Sequence, residues 1–261
     1  MVDGFLVRQA GFSYGEKQVL SQIDLALPPG RFYGIVGPNG CGKTTFLDLL
    51  AGDRKTQAGE VLLQGKVVQD MPRRKLARQV ALVPQDFAIS FAFTVQEVVL
   101  MGRHPYIPRF GSPADADLAA VEAAMAEIGI GHLADRYVNE LSGGEKQRVV
   151  VARALAQQAP FLLLDEATSN LDVRYSLAIF AVLRKRVREA GHTVIAVIHN
   201  LNLAAAYCDE IVFMKNGRIA CCGPTSQVMN PANIARVFGV ESAVTFDEFA
   251  NAYQVSFRYG S

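Results

Sequence analysis

Eight residues, Gly37-Pro38-Asn39-Gly40-Cys41-Gly42-Lys43-Thr44, restrict this chain more than any others. They fit G-x-x-x-x-G-K-[ST], a loop whose backbone N–H groups close around phosphates while the lysine neutralises them. The motif needs a strand before it and a helix after it. Residues 32–36 are an apolar run, and 45–51 (TFLDLLA) have a helix-like pattern, so the setting is present. The loop binds a nucleotide; what that nucleotide drives must be read elsewhere.

At 261 residues the chain can bury one large core, or one core with a small lobe. Although 50% of it is hydrophobic, no run reaches the ~18 apolar residues of a membrane-spanning helix. The run 161–164 ends at Asp165, and 194–198 ends at His199. The first residues carry Asp3 and no basic-then-apolar leader, so export is not expected. A formal net charge of +1 gives no global reason to expect nucleic acid or anionic lipid. Cys41, Cys208, Cys221 and Cys222 lack C-x-x-C spacing and read as reduced thiols. Cys41 lies among phosphate-facing N–H groups, which should lower its thiol pKa. Alkylation is then expected to block nucleotide binding, and ATP to protect.

Along the chain, 5–13 alternates loosely, as an edge strand would, and 19–27 alternates cleanly before Pro28-Pro29-Gly30. Residues 59–63 and 66–68 flank Gln64-Gly65 as a hairpin, and 73–78 (RRKLAR) reads as a short basic helix with a solvated face. A buried strand at 80–83 stops at Pro84-Gln85. Residues 86–140 then change to helical texture, with runs at 94–102, 114–129 and 131–137 and a Pro-rich aromatic connector at 104–111. Thr94 with Glu97 opens the first run as a capping box. The α/β pattern resumes with a helix at 142–157, a strand at 161–164, a basic helix at 175–190, a strand at 193–198 and a helix at 202–206. A hairpin at 211–222 and a short tail after Pro224 close the chain. Strands alternating with helices around a phosphate loop predict a parallel-sheet α/β core.

Two further stretches carry chemistry. Residues 161–166 (FLLLDE) deliver two acids at a strand's C-terminal end, where α/β sheets place ligands. Asp165 there suits magnesium, with Thr44 supplying a hydroxyl to the same ion. Glu166 is placed to orient or deprotonate a water. In 141–148 (LSGGEKQR), a capping box explains Ser142 and Glu145 but not two glycines in the first helical turn. Glycines there let an anion approach bare N–H groups at the helix start. The chain thus has two phosphate-binding helix starts, more than one nucleotide easily uses within one compact domain.

LSGGEKQR resembles the signature of ABC-type ATPases, and the other elements follow that family's order from about residue 5 to 225. Gln85 matches its Q-loop, Ser169-Asn170-Leu171-Asp172 its D-loop, His199 its switch histidine, and Tyr14 its adenine-stacking aromatic. The resemblance implies an α/β P-loop NTPase core with an N-terminal antiparallel β subdomain and an inserted helical subdomain. In numbers, that is one domain over 1–261: core at about 1–85 and 141–225, helical subdomain at about 86–140, tail at about 226–261. It implies ATP and magnesium, with Tyr14, Gly37, Pro38, Asn39, Gly40, Cys41, Gly42, Lys43, Thr44 and Thr45 around the nucleotide. Ser142, Gly143, Gly144 and Asp172 would close on it from a second copy, joined head to tail. Catalysis would rest on Glu166, His199, Gln85 and Lys43, and the metal on Thr44, Gln85 and Asp165. Asn200 and Glu145 depart from the pattern, where an acid and a Gln are common; activity is expected to survive both.

With one nucleotide domain and no membrane span, the chain looks like the separate ATPase subunit of a bacterial importer, at the cytoplasmic face of the inner membrane. MGRHPY (101–106), LNLAAAYCD (201–209) and RVFGVE (236–241) resemble ATPases serving iron–siderophore, haem and cobalamin importers. Two copies of a permease subunit, and indirectly a substrate-binding protein, are the implied partners. The helical lobe would receive a short permease helix in a groove lined by Phe87, Phe91, Phe93 and the 101–110 connector. A soluble ABC ATPase acting on nucleic acid or the ribosome is the alternative, resting on Arg73, Arg74, Lys75, Arg78 and 184–188; nucleic acid is not expected. A P-loop kinase would have no use for Ser142, Gly143, Gly144 or His199.

Overall fold

In the computed structural model of this chain, residues 3–85, 91–168 and 171–258 are described. The chain divides into two compact units, 1–71 with 193–261, and 72–192. The first unit opens with β1 (Phe5–Tyr14), β2 (Lys17–Leu27), β3 (Phe32–Val36), α1 (Lys43–Ala51), β4 (Ala58–Leu63) and β5 (Lys66–Val67). The second holds α2 (Arg73–Leu76), β6 (Val80–Val83), α3 (Val95–Leu100), α4 (Asp115–Ile128), α5 (Gly143–Ala156), β7 (Phe161–Asp165) and α6 (Val173–Ala190). The chain then returns to the first unit with β8 (Thr193–Val197), α7 (Leu201–Tyr207), β9 (Glu210–Lys215) and β10 (Arg218–Pro224). It ends with α8 (Thr225–Val228), α9 (Pro231–Phe238), β11 (Ser242–Asp247) and β12 (Ala252–Phe257).

In the first unit, β3 lies between β8 and β9, parallel to both, and β10 pairs antiparallel with β9. Every residue of β3 and β8 is buried, the continuous apolar run expected of strands covered on both faces. A separate antiparallel sheet has the order β2-β1-β4-β5. The expectation of an edge strand at 5–13 fails, because β1 pairs on both sides. Its loose alternation comes from bulges instead. Gln9 takes positive φ (47°), and the β1–β2 register shifts between Val7 and Ala10. A bulge breaks the two-residue period while the ladder continues.

In the second unit, β6 and β7 pair in parallel, Val83 opposite Leu164. The predicted capping box is present: Thr94 caps α3 and Glu97 answers it. The helix expected at 131–137 is only the 3-10 turn Gly131–Leu133. The Ala134 and Arg136 carbonyls accept from Gln96 and Val95, at the start of α3, so their backbone is spent outside a helix. The tail after Pro224 is folded, which its sequence did not announce. Asn230 caps α9 through the Asn233 N–H, Pro231 sits at its start, and Gly239 closes it with φ 73°. The β11–β12 hairpin is tied to α7 by the Val255 N–H, which donates to Asn202 Oδ1 at 2.7 Å.

Candidate nucleotide site

β3 delivers the phosphate loop in a backbone shape that only this loop's glycines allow. Gly42, the N-cap of α1, has φ 101°, and Gly40 has φ 75°. A Cβ at Gly37 would stand 2.2 Å from the Met214 carbonyl oxygen. The first turn of α1 has neither a capping side chain nor an acid, which leaves its positive end suited to an anion. Buried Lys43 folds back over the loop and donates from Nζ to the carbonyls of Gly37 (2.9 Å) and Pro38 (3.0 Å). A support missed from sequence lies behind the loop. The Asn216-Gly217 turn of the β9–β10 hairpin donates from the Gly217 N–H to the Cys41 carbonyl (3.1 Å), and the Gly217 carbonyl accepts from Ser21 (2.9 Å). The Asn-Gly dipeptide was its only sequence signal, and it read as a hairpin turn.

Cys41 corrects an expectation. It is buried, and burial outweighs the nearby Lys43 charge, so its thiol pKa is raised instead of lowered. Iodoacetamide near neutral pH should modify exposed Cys222 before Cys41, and ATP should change that order little. Peptide mapping of a labelling time course checks this; early, ATP-protected labelling of Cys41 would restore the reactive-thiol reading.

In the second unit, the parallel pairing of β6 and β7 brings two predicted residues together. Asp165 ends β7 and is 4% exposed. Glu166 follows with φ 51°, a left-handed conformation rare for a non-glycine residue. Gln85, two residues beyond β6, donates from Nε2 to Glu166 Oε2 at 3.1 Å.

The start of α5 has the predicted reciprocal cap. Ser142 N–H and Oγ donate to Glu145 Oε2 (2.9 and 2.7 Å), and the Glu145 N–H donates to Ser142 Oγ (3.3 Å). Neither Gly143 nor Gly144 has positive φ. A Cβ on Gly143 would meet nothing within 4 Å, and one on Gly144 only Leu171 at 3.4 Å. Glycine is a poor helix former, and the fold asks for it at neither position.

The remaining predicted residues have local roles of their own. Asp172 caps α6, accepting from the Tyr175 N–H at 2.9 Å; Ser169 and Asn170 lie outside the described residues, as does Phe87. Asn200 caps α7 by accepting from Asn202 (2.9 Å) and Leu203 (3.1 Å), a task an acid performs equally well. His199, two residues beyond β8, is exposed and borders a cavity of about 790 Å³. Tyr14 is 45% exposed, with the Arg54 guanidinium 4.7 Å from its ring centre. Arg54 is itself fixed by Asp48 at 2.8 Å.

A family model described as ABC transporter matches residues 20–169. A cobalamin import ATP-binding protein of Halobacterium salinarum is 43% identical over 239 residues, 92% of this chain and 60% of that protein, so the chain spans about three-fifths of that relative's length. A hemin import ATP-binding protein of Bordetella avium is 41% identical over 237 residues, 88% of this chain and 90% of that one. A solved structure of a metal-chelate type ABC transporter in an inward-facing conformation superposes with TM-score 0.83 at 27% identity, covering 98% of this chain and 96% of that one. The phosphate loop, the glycine-bearing capped helix and the acids at the end of β7 all lie within the matched residues 20–169, and the chain belongs to the ABC transporter family.

Proposed function

We propose that this chain is the ATP-binding and ATP-hydrolysing subunit of an ABC importer for a metal chelate of the siderophore, haem or cobalamin kind. The observation that carries the reading is the start of α5, where two glycines stand with no demand from packing or backbone conformation. They leave room for a phosphate brought by another molecule, and in this family that is the ATP of a second copy. The names of the relatives, importers of cobalamin and hemin, support the cargo class.

The residues divide the task. Tyr14 stacks on the base, and Gly37, Pro38, Asn39, Gly40, Cys41, Gly42, Thr44 and Thr45 wrap the phosphates. Lys43 must release the Gly37 and Pro38 carbonyls to reach the β- and γ-phosphates. Thr44, Asp165 and Gln85 are the residues that would hold magnesium, each offering the oxygen donor that ion prefers. When bound, the ion neutralises charge developing on the transferred phosphoryl group. Glu166, steadied by Gln85, aligns and deprotonates the attacking water, and His199 contacts the γ-phosphate. Ser142, Gly143, Gly144 and Asp172 act on the ATP of the opposite copy.

The proposed division is a core at about 1–85 and 141–225, a helical subdomain at about 86–140 and a tail at about 226–261. The partners are a second copy, two permease subunits and, through them, a substrate-binding protein. The place of work is the cytoplasmic face of a bacterial inner membrane; no helix among the described residues is long and apolar enough to cross it. Pull-down of the tagged chain from detergent-solubilised native membranes tests the reading. A multi-span subunit should co-purify, and a chelate-loaded binding protein should stimulate hydrolysis by the pair. Hydrolysis stimulated instead by DNA or ribosomes, and falling steeply with salt, would overturn it.

Glu145 adds a prediction. Hydrogen bonds from Ser142 hold its carboxyl below the usual range, so a negative charge borders the surface that receives the opposite γ-phosphate. Glu145→Gln keeps the capping box and removes that charge. The ATP concentration for half-maximal dimerisation should fall roughly threefold to tenfold, as a close unit charge at a surface dictates. Size-exclusion chromatography across an ATP series measures it, and an unchanged midpoint would place the carboxylate away from the phosphate.

A further inference from the structure

Residues 201–209 and 236–241, two of the stretches that resemble chelate-importer ATPases, have no task at the phosphates. The structure spends both on fixing α7 and the tail. Asp209 Oδ2 accepts from the Phe32 N–H (2.8 Å), and the Cys208 carbonyl accepts from Thr225 Oγ1 (2.6 Å), so the end of α7 is held to β3 and to the start of α8. Arg236 of α9 donates from Nη2 to the Ala220 carbonyl of β10 at 2.8 Å. Glu241, beyond α9, accepts from Arg258 Nη1 at its carboxylate (2.9 Å) and from the Arg258 N–H at its carbonyl (3.2 Å), which closes the open end of the β11–β12 hairpin.

The hairpin's other anchor is the start of α7. Val255 of β12 is buried, and its peptide groups meet the Asn202 side chain: the N–H donates to Oδ1 at 2.7 Å, and the carbonyl accepts from Nδ2 at 3.5 Å. An asparagine amide carries both an acceptor and a donor, so it pairs with a strand edge as another strand would.

Asn202 lies three residues from His199. α7 has only 7 residues, too few to be stable alone. Its Leu201, Ala204 and Ala205 are buried, and Asn200 caps it. Upstream, the Ile198 N–H donates to the Ile35 carbonyl of β3 at 3.1 Å. His199 is therefore the joint between a strand locked in the sheet and a short helix held at its start by the tail. The hairpin also walls the cavity that His199 borders, through Val255, Phe257 and Arg258.

We propose that the tail hairpin 242–257 sets the position of His199, and that Asn202 is the positioning residue through which it acts. This rests on the reading of His199 as the group that meets the γ-phosphate. The tail then governs turnover, while nucleotide affinity stays with the phosphate loop.

Hydrolysis by the full chain tests it, with single turnovers at excess protein resolving the slow variants. Asn202→Ala removes both contacts to Val255 and leaves the Asn200 cap, which uses only the Asn202 and Leu203 N–H groups. Its kcat should fall roughly tenfold to a hundredfold, the scale of a misplaced catalytic group, while KM for ATP stays within about twofold. Val255→Pro removes the N–H from the other side, in a strand of a two-stranded sheet where an edge proline is tolerated. It should match Asn202→Ala, and the double variant should be no slower than the slower single, since both break one contact. In a His199→Ala background, Asn202→Ala should have no further effect, because a positioning residue acts only through the residue it positions. Wild-type turnover in both single variants would overturn the proposal. So would a KM that rises as far as kcat falls, or an equal loss with and without His199, either of which makes the contact merely structural. Normal turnover by His199→Ala itself would remove the reading of His199, and this proposal with it.

Discussion

Glu166→Gln should lower steady-state ATP hydrolysis by roughly 10²- to 10⁴-fold, the range that loss of a general base produces, while ATP binding persists. The substitution is nearly isosteric. A glutamine carbonyl can still accept the Gln85 hydrogen bond seen at 3.1 Å, and the positive φ of Glu166 is a backbone property the side-chain change leaves alone. What disappears is the capacity to take a proton from water. Because hydrolysis is the step that would release two copies from each other, the variant should accumulate as an ATP-dependent dimer. Phosphate release and size-exclusion chromatography at saturating ATP measure the two effects separately. A variant that hydrolyses normally would remove Glu166 from the catalytic role. One that is inactive but monomeric would keep Glu166 and count against the two-copy site.

The phosphate loop was legible in the sequence because its geometry is nearly all backbone, and glycine positions record backbone directly. Gly40 and Gly42 take positive φ, and Gly37 has no room for a Cβ. The acids of β7 were legible because an unbroken apolar run announces a buried strand and its end. The capping boxes at Thr94 and Ser142 are local in sequence and appeared where expected. Features built from distant segments were not legible. β1 read as an edge because the bulge at Gln9 spoils its period, and pairing on both sides is a tertiary fact. Cys41 was judged by its loop neighbours alone, whereas burial decides its pKa. Arg74 and Arg78 read as solvated because their acceptors are backbone carbonyls about thirty residues away, and a carbonyl carries no sequence signal. The tail hairpin was missed for a related reason: its Phe246, Phe249 and Phe257 face outward, so it lacks a strong apolar alternation.

Mixing two inactive variants should restore activity, and this result would bear most directly on how the two helix starts are used. Lys43→Ala removes the cation proposed to meet the β- and γ-phosphates, so that variant alone should be inactive. Ser142→Arg places a long side chain where Gly143 leaves open space beside the capped start of α5, and alone it should also be inactive. In a symmetric head-to-tail pair each site takes its loop from one copy and its capped helix from the other. A mixed dimer then has one site with both lesions and one with neither. Equal mixing makes half the dimers mixed, each with one intact site of two, so about a quarter of wild-type activity is expected if sites act independently. Titrating one variant into the other at constant total protein should trace a maximum at the equimolar point. If each chain instead completed its own site, every mixture would stay as inactive as its components. The flat line would return the phosphate loop to a one-chain site and leave the glycines of α5 without a ligand.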